Sequence, residues 1–332
     1  MGGDAFEPSL TPRIFRFSDI DEFRSSVRNL SVDFTPLVRT IAAEQTVLNL
    51  EGCSVNFTKS FPRIVDAQLA PGCTAIGFTM DDGIPIRFNG VERDKSVIVI
   101  GGGGAAYTAV ERTDRQYASI VFTPAIVDRG WPPVSANFNM FETSPTAQQR
   151  LRTLVTLLLT ALPQLGEPPN LSETSTLSET LSLTETASLS ETSAAIRESL
   201  LGVIDGVFAE IVPTRWASLA NASRQWAIFR EIRDVLEASL GRPIYSEELA
   251  TQVGVSVRSM HDAILRYHGM SLHRYLRLRR LWLVRRQLLA GAESVKAIAL
   301  AFGFWHLGDF SASYRLQFGE TPSQTLAKSR PK

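Results

Sequence analysis

The sequence predicts a two-domain α+β protein, with a β-rich first part and an all-α second part. Three observations carry this. Between Thr46 and Pro124, short alternating or apolar runs are separated by turn-forming residues. Beyond Pro213 the apolar spacing becomes helical and the charge becomes basic. Residues 222–332 hold 17 Lys+Arg against 9 Asp+Glu, a net of +8, whereas residues 1–221 hold 17 against 25, a net of −8. The formal net charge of zero therefore hides a polyanion-binding end and an acidic end with another task. Finally, one local plan occurs twice within residues 246–326. A chain of 332 residues is long enough for two cores.

In the first part, Val97–Ile100 (VIVI) and Tyr117–Phe122 (YASIVF) read as strands. Asp81-Asp82-Gly83, Phe88-Asn89-Gly90 and the run Gly101 to Gly104 supply turns, so a sandwich or small barrel is expected over 1–145. The four glycines lack the following Lys-Ser/Thr and the helix of a phosphate loop. Cys53 and Cys73 are too few for a disulfide framework and are expected as small core thiols. Helices are expected around Thr146–Leu162 and Ala194–Ile211, within a segment 146–221. Between them, Leu171-Ser-Glu-Thr174, Leu177-Ser-Glu-Thr180, Leu183-Thr-Glu-Thr186 and Leu189-Ser-Glu-Thr192 repeat with a period of six. That period suits neither helix nor strand, and the expectation is a flexible insertion over 166–193. The apolar run Leu151–Leu162 is too short for a bilayer and the N-terminus lacks a secretory pattern, so a cytoplasmic protein with no membrane association is expected.

The second part opens with a helix capped by Ser223 and running through Trp226, Phe229, Ile232, Val235, Leu236 and Leu240, ended by Gly241 and Pro243. The repeated plan follows. Its first copy is Glu248-Leu-Ala-Thr-Gln-Val-Gly-Val-Ser256, then a helix through Met260, Ile264 and Tyr267 to Gly269; its second is Ala297-Ile-Ala-Leu-Ala-Phe-Gly-Phe304, then a helix through Phe310, Tyr314 and Phe318 to Gly319. Each copy reads as a helix-turn-helix, spanning 247–268 and 295–318. Ala250 and Ala299 are small where two helices cross, Gly254 and Gly303 permit the turn, and Val253, Val255, Phe302 and Phe304 fill the angle. Ser256 is placed to cap the second helix, whose Arg258, Ser259, His261, Asp262 and Arg266 fall off the apolar face. Two such units on a basic domain point to double-stranded DNA.

Leu272–Leu289 joins the two units as one helix, with Leu272, Leu276, Leu281, Val284 and Leu288 inward and Arg274, Arg277, Arg280, Arg285 and Arg286 mostly outward, toward phosphates. Eighteen residues rise about 27 Å, near the roughly 34 Å of a duplex turn, so both reading helices are expected on one DNA face.

Residues 224–328 resemble the DNA-binding domain of the AraC/XylS family of bacterial regulators, above all in Gly303-Phe304…Phe310…Tyr314…Phe318-Gly319-Glu-Thr-Pro322. The resemblance implies a cupin-like β-roll that binds a small effector, followed by helices that pair two subunits into a homodimer. RNA polymerase would be a further partner of an activator. The first reading helix would offer Arg258, His261, Asp262 and Arg266 to DNA, with Ser256 and Ser259 beside them. The second departs from the common pattern: Gly308 and Ala312 stand where long polar side chains are usual. Readout there would fall to His306, Asp309, Ser311 and Arg315, or to a thymine methyl against Ala312. Arg274, Arg277 and Arg280 would meet the DNA backbone, and Trp305 either packs on the turn or lies against that backbone. The run Gly303–Gly308 (GFWHLG) resembles a subgroup that includes ethanolamine-utilisation regulators, making a small amine one candidate effector.

Two rival readings remain. A cupin-type metalloenzyme would need several imidazoles, yet His261, His268, His273 and His306 all lie in the helical domain. No catalytic residue, metal site or cofactor is expected, and the protein is not read as an enzyme. A DNA-binding regulator with a purely structural first domain would show a packed interior, and an effector-controlled one an apolar pocket.

Overall fold

Alternating side chains build the first domain as two facing sheets. In this computed structural model, residues 8–81, 83–93, 97–127, 129–134, 137–160, 178–211, 224–239, 242–292 and 294–329 are described. Strands β1 (Ser9–Phe17), β3 (Ala43–Leu50), β4 (Cys53–Ser60), β11 (Arg115–Phe122), β6 (Thr74–Thr79), β9 (Val97–Gly102) and β12 (Asn139–Glu142) form a seven-stranded sheet in that order. Strands β2 (Leu30–Pro36), β5 (Arg63–Leu69), β10 (Ala106–Glu111), β7 (Ile86–Phe88) and β8 (Val91–Arg93) form a five-stranded one. The short helix α1 (Ile20–Ser26), capped by Asp19, stacks Phe23 on Phe34 of β2 with centroids 5.0 Å apart.

Helices α2 (Pro145–Thr160) and α3 (Ser178–Ala209) cover the outer face of the larger sheet. Leu151 and Val155 of α2 and Leu200, Ile204 and Phe208 of α3 join Leu48, Val55, Ile100, Ile120 and Phe122 in one core. Arg129 fastens α3, reaching Asp205 at 2.7 Å and Glu198 at 3.0 Å.

The C-terminal domain is all helical: α4 (Arg224–Ala238), α5 (Ser246–Val253), α6 (Val257–His268), α7 (Leu272–Leu289), α8 (Val295–Ala301), α9 (Leu307–Phe318) and α10 (Pro322–Lys328). It forms two cores. One gathers Trp226, Phe229, Leu249, Met260, Ile264, Tyr267 and Tyr275; the other gathers Leu281, Val284, Phe302, Phe310, Tyr314 and Phe318.

The first of these cores also contains Ile64, Ala106 and Val110, from β5 and β10. The outer face of the five-stranded sheet is thus the floor on which α4 and α6 sit. Polar contacts fix the seat. His268 Nε2 lies 3.1 Å from Asp66 Oδ1, with the two side chains 1% and 2% exposed. Arg279 reaches Asp33 at 3.0 Å and the Leu236 carbonyl at 2.8 Å. Arg87 donates to the Arg266 carbonyl at 3.0 Å, and Trp226 Nε1 donates to Asn137 at 2.7 Å. At Gly90, in the turn between β7 and β8, φ is +76° and a Cβ would meet the Tyr267 ring at 2.9 Å. Only glycine serves both the turn and this approach.

Several expectations need correction. Strands begin at Ser9, well before Thr46: β1 is an edge strand with little burial, and β2 carries the readable alternation Leu30, Val32, Phe34. The proposed flexible insertion is helical from Ser178 onward. Ser193 Oγ accepts from the Glu51 amide at 2.6 Å and Ser190 donates to the Glu51 carboxylate at 2.7 Å. Extending a helix already anchored at Leu200–Phe208 adds one hydrogen bond per residue with no new nucleation, which outweighs a poor intrinsic propensity. The rest of the repeats, at 171–177, and the Ser223 cap, Leu240 and Gly241 lie outside the described residues. Cys53 and Cys73 are free and buried, and burial pushes the Cys53 thiol up to about 12.

Burial alone would push the Asp66 carboxyl up, but the His268 ring, with Thr108 and Arg233, holds it below its usual range. A carboxyl lowered in the folded state contributes stability that is complete above its unfolded value and is lost as pH falls through its folded value. His268→Ala leaves Asp66 buried without its partner. Urea unfolding of this variant near neutral pH should show a loss of about 3 kcal/mol, and acid titration of Asp66→Asn should show a shallower fall in stability than the native chain.

Candidate nucleic-acid interface and candidate ligand cavity

Each helix-turn-helix is set by short-range rules. Helix α5 ends on Gly254 in the left-handed region, Ser256 then accepts from the Ser259 amide at 3.1 Å, and α6 begins. Met260, Ala263, Ile264, Tyr267 and His268 are buried. Arg258, Asp262 and Arg266 are exposed and His261 is half-buried, its Nδ1 3.7 Å from Asp262. Arg266 donates to Gln225 at 3.0 Å, which draws it toward α4 and away from the exposed start of α6. In the second unit, α9 buries Phe310, Tyr314 and Phe318 and exposes Gly308, Asp309, Ser311, Ala312 and Arg315. His306 stands exposed at the N-cap position without a side-chain cap bond. Trp305 is 69% exposed, so its indole does not pack on the turn.

The connector α7 differs from expectation. Arg274 and Arg286 are exposed, but Arg277, Arg280 and Arg285 are half-buried. Arg277 donates to Ser313 of α9 at 2.5 Å, and Arg285 reaches Glu320 at 2.7 Å. The Arg280 guanidinium sits between the Tyr245 and Phe304 rings, 5.3 and 5.2 Å from their centroids. There Gly303, at φ +74°, lets the second turn close on the Tyr245 hydroxyl, where a Cβ would clash. Arg277 and Arg280 thus link the two units, and Arg285 stays within the second. Sequence periodicity missed Arg279 and His268, the residues that tie the helical domain to β2 and β5.

Between the two sheets lies a cavity of about 590 Å3, within the usual range of small-molecule sites. Residues facing it alternate with those facing outward: Arg63 and Val65 on β5, Tyr107, Ala109 and Glu111 on β10, Val32 and Phe34 on β2. The larger sheet adds Gln45, Asn56, Thr58, Tyr117 and Ser119. Arg63 is 1% exposed and ringed by Phe34, Phe23, Phe61 and Tyr117, 4.6 to 5.7 Å from its guanidinium carbon. Its Nη2 donates to the Tyr117 hydroxyl at 3.1 Å and its Nε lies 3.3 Å from Glu111. Nε and Nη1 have no hydrogen-bond acceptor among the described residues. Leaving such a buried group unmet costs roughly 1–3 kcal/mol. Among the described residues, Glu111 is the one lining side chain of metal-ligating type, and no cluster of three or more His, Cys, Asp or Glu is placed to hold a metal ion.

Residues 249–328 match a helix-turn-helix domain family. The chain is 35% identical over 116 residues to XylDLEGF operon transcriptional activator 2 of Pseudomonas putida, covering 32% of this chain and 74% of that protein. The chain belongs to the AraC/XylS family. XylDLEGF operon transcriptional activator 1 of the same organism is 31% identical over 140 residues, covering 41% of this chain and 42% of its own length. The chain thus spans about two fifths of that longer relative. A crystal structure of a probable AraC family regulator from Rhodopseudomonas palustris matches at 38% identity, covering 31% of this chain and 98% of that one, with a TM-score of 0.29.

As an AraC/XylS protein, the chain presents Ser256, Arg258, His261 and Asp262 at the start of α6, and His306, Gly308, Asp309, Ser311, Ala312 and Arg315 along α9. Among the described residues no helix is long and apolar enough to cross a membrane. The exposed Arg274 and the engaged Arg280 should behave differently. Arg274→Ala is expected to weaken DNA binding about equally for all sequences and to lower the salt slope by about one. Arg280→Ala should instead lower the thermal midpoint of unfolding. Filter binding across a salt series, with a parallel thermal melt, measures both.

Proposed function

We propose that this protein is a sequence-specific transcription regulator controlled by a small effector bound between the two sheets of its first domain. The single observation that carries the reading is a cavity and a helix-turn-helix unit on opposite faces of one sheet. An effector that reshapes the inner face of β5 and β10 then acts on the seat of α4 and α6 without a separate relay. The helical domain, with its exposed α6 and α9 side chains and its net positive charge, supplies the DNA contacts. The relatives' names, as operon activators, support activation as the outcome and RNA polymerase as a partner.

Base readout falls mainly to Arg258, His261 and Asp262 of α6. Helix α9, with Gly308 and Ala312 exposed, contributes more through the DNA backbone and the shape of its groove. Trp305, exposed beside His306, is placed for the backbone. Helices α2 and α3 remain the candidate pairing surface for a homodimer. Leu157 is 54% exposed on α2 and supports that role.

The alternatives fare less well. A purely structural first domain does not account for a cavity of about 590 Å3, and a metalloenzyme does not account for its lining. The small amine implied by Gly303–Gly308 fits poorly too, because a cation would meet four lining arginines and one carboxylate. The likeness to ethanolamine-utilisation regulators therefore rests on the turn alone.

Selection of binding sites from randomised duplex DNA by the full chain tests the reading. A defined consensus is expected, with affinity falling steeply as salt rises. His261→Ala and Asp262→Ala should each change the preferred bases in one half of the site, a discrimination of about 1–3 kcal/mol per contact. Selection without a consensus, or variants with unchanged preference, would contradict it.

A further inference from the structure

We propose that Arg39, in the loop between β2 and β3 of the first domain, is a positioning residue for DNA readout: it holds the C-terminal end of α9 and so sets the second reading helix against the first. This rests on the reading of α6 and α9 as the helices that meet DNA, and it gives the first domain a part in how they meet it.

The two reading helices are gripped alike. Arg266 of α6 and Leu316 of α9 each stand three residues before the left-handed glycine that ends the helix, Gly269 or Gly319. Both carbonyls belong to a last turn whose oxygens lack partners within the helix. Each accepts from an arginine of the first domain: Arg266 from Arg87 Nη1 at 3.0 Å, and Leu316 from Arg39 Nε at 2.9 Å. A cation at this end also meets the negative pole of the helix dipole. Arg112 adds a longer contact, 3.4 Å, to the Gly269 carbonyl.

The surroundings of the two grips differ. The first unit is also seated on the sheet through Ile64, Ala106 and Val110, so Arg87 is one contact among many. Among the described residues, the core of the second unit takes nothing from the first domain. Arg39 supplies its hydrogen bond to that domain, and a looser tie, Arg286 to Asp21 at 3.9 Å, lies on the exposed surface at the end of α7, where solvent screens it. One point of attachment leaves a helix free to pivot; two fix its axis. Arg277 holds the middle of α9 through Ser313, and Arg39 holds its end. The stem of Arg39 runs along the closing turn, its Cδ 3.6 Å from where a Cβ on Gly319 would stand. The loop that carries it is itself anchored. Leu37 packs in the core of the first unit, Val38 and Ile41 pack between the sheets, and the Leu37 amide donates to the Pro62 carbonyl at 2.9 Å. Sheet, α6, α7, α9 and Arg39 thus close a ring, which is stiffer than an open chain of helices.

The test is hydroxyl-radical footprinting of the full chain, native and Arg39→Ala, on a duplex recovered by site selection from randomised DNA. Backbone protection locates the segments under the two reading helices, and the half whose preferred bases change in His261→Ala is that of α6. Because Arg39 is exposed, its loss leaves both helical cores in place. Protection of the α9 segment is expected to fall about twofold or more relative to the α6 segment, the effect of losing one charged hydrogen bond that biases a pivot. An unchanged ratio, whether both segments hold or both weaken, would overturn the inference and leave the reading of α6 and α9 intact. A loss confined to one or two phosphates, with the salt slope lower by about one, would make Arg39 a direct DNA contact and overturn its positioning role. A native footprint without an α9 segment would overturn both the inference and the reading of α9 as a DNA helix.

Discussion

A β-strand sends consecutive side chains to opposite faces of its sheet, and in this protein that alternation places two tasks on one strand. Along β5, Arg63, Val65 and Ala67 turn toward the space between the sheets, while Ile64 and Asp66 turn toward the helical domain. On β10, Tyr107 and Glu111 face inward, and Ala106 and Val110 belong to the core that also holds Met260 and Tyr267. On β2, Phe34 faces the cavity and Asp33 holds Arg279. The wall between the cavity and the helix-turn-helix unit is therefore one sheet thick. A one-residue slip in the register of β5 would carry Asp66 to the inside and Arg63 to the outside, undoing both faces together.

How far the sequence discloses this depends on the range of the rules involved. The paired helix-turn-helix units were legible because they follow from neighbours: Ser256 caps the helix that starts at Val257, Gly254 and Gly303 terminate turns, and the buried faces recur at helical spacing. The connector, expected over Leu272–Leu289, has those bounds for the same reason. The seat of the helical domain was not legible. Asp66 and His268 are 202 residues apart, and neither has a neighbour that announces the other. The cavity was expected in kind but not in content, since Arg63 reads in sequence as a charge beside a proline. The helical stretch within the Leu-Ser/Thr-Glu-Thr repeats eluded a periodicity argument because an anchored helix next to it, and not its own composition, supports it.

The connector arginines show why residue type alone misleads. Arginines on a helix of a DNA-binding domain suggest phosphate contacts. Two of them instead join the two units, Arg277 through Ser313 and Arg280 between the Tyr245 and Phe304 rings, and Arg285 holds Glu320 within the second unit. A joint of this kind fixes the angle between the two reading helices, which a pair of half-sites one duplex turn apart requires.

The cavity and the seat of the helical domain share the two faces of one sheet. Hydrogen–deuterium exchange of the full chain, native against Val65→Phe, tests this most directly, because the substitution fills the cavity from inside and touches nothing on the outer face. Changed protection of the amides from Tyr267 to Leu276, at the junction of α6 and α7, is the predicted result. Changes confined to β5 and its strand neighbours, with the helical domain unaltered, would contradict it.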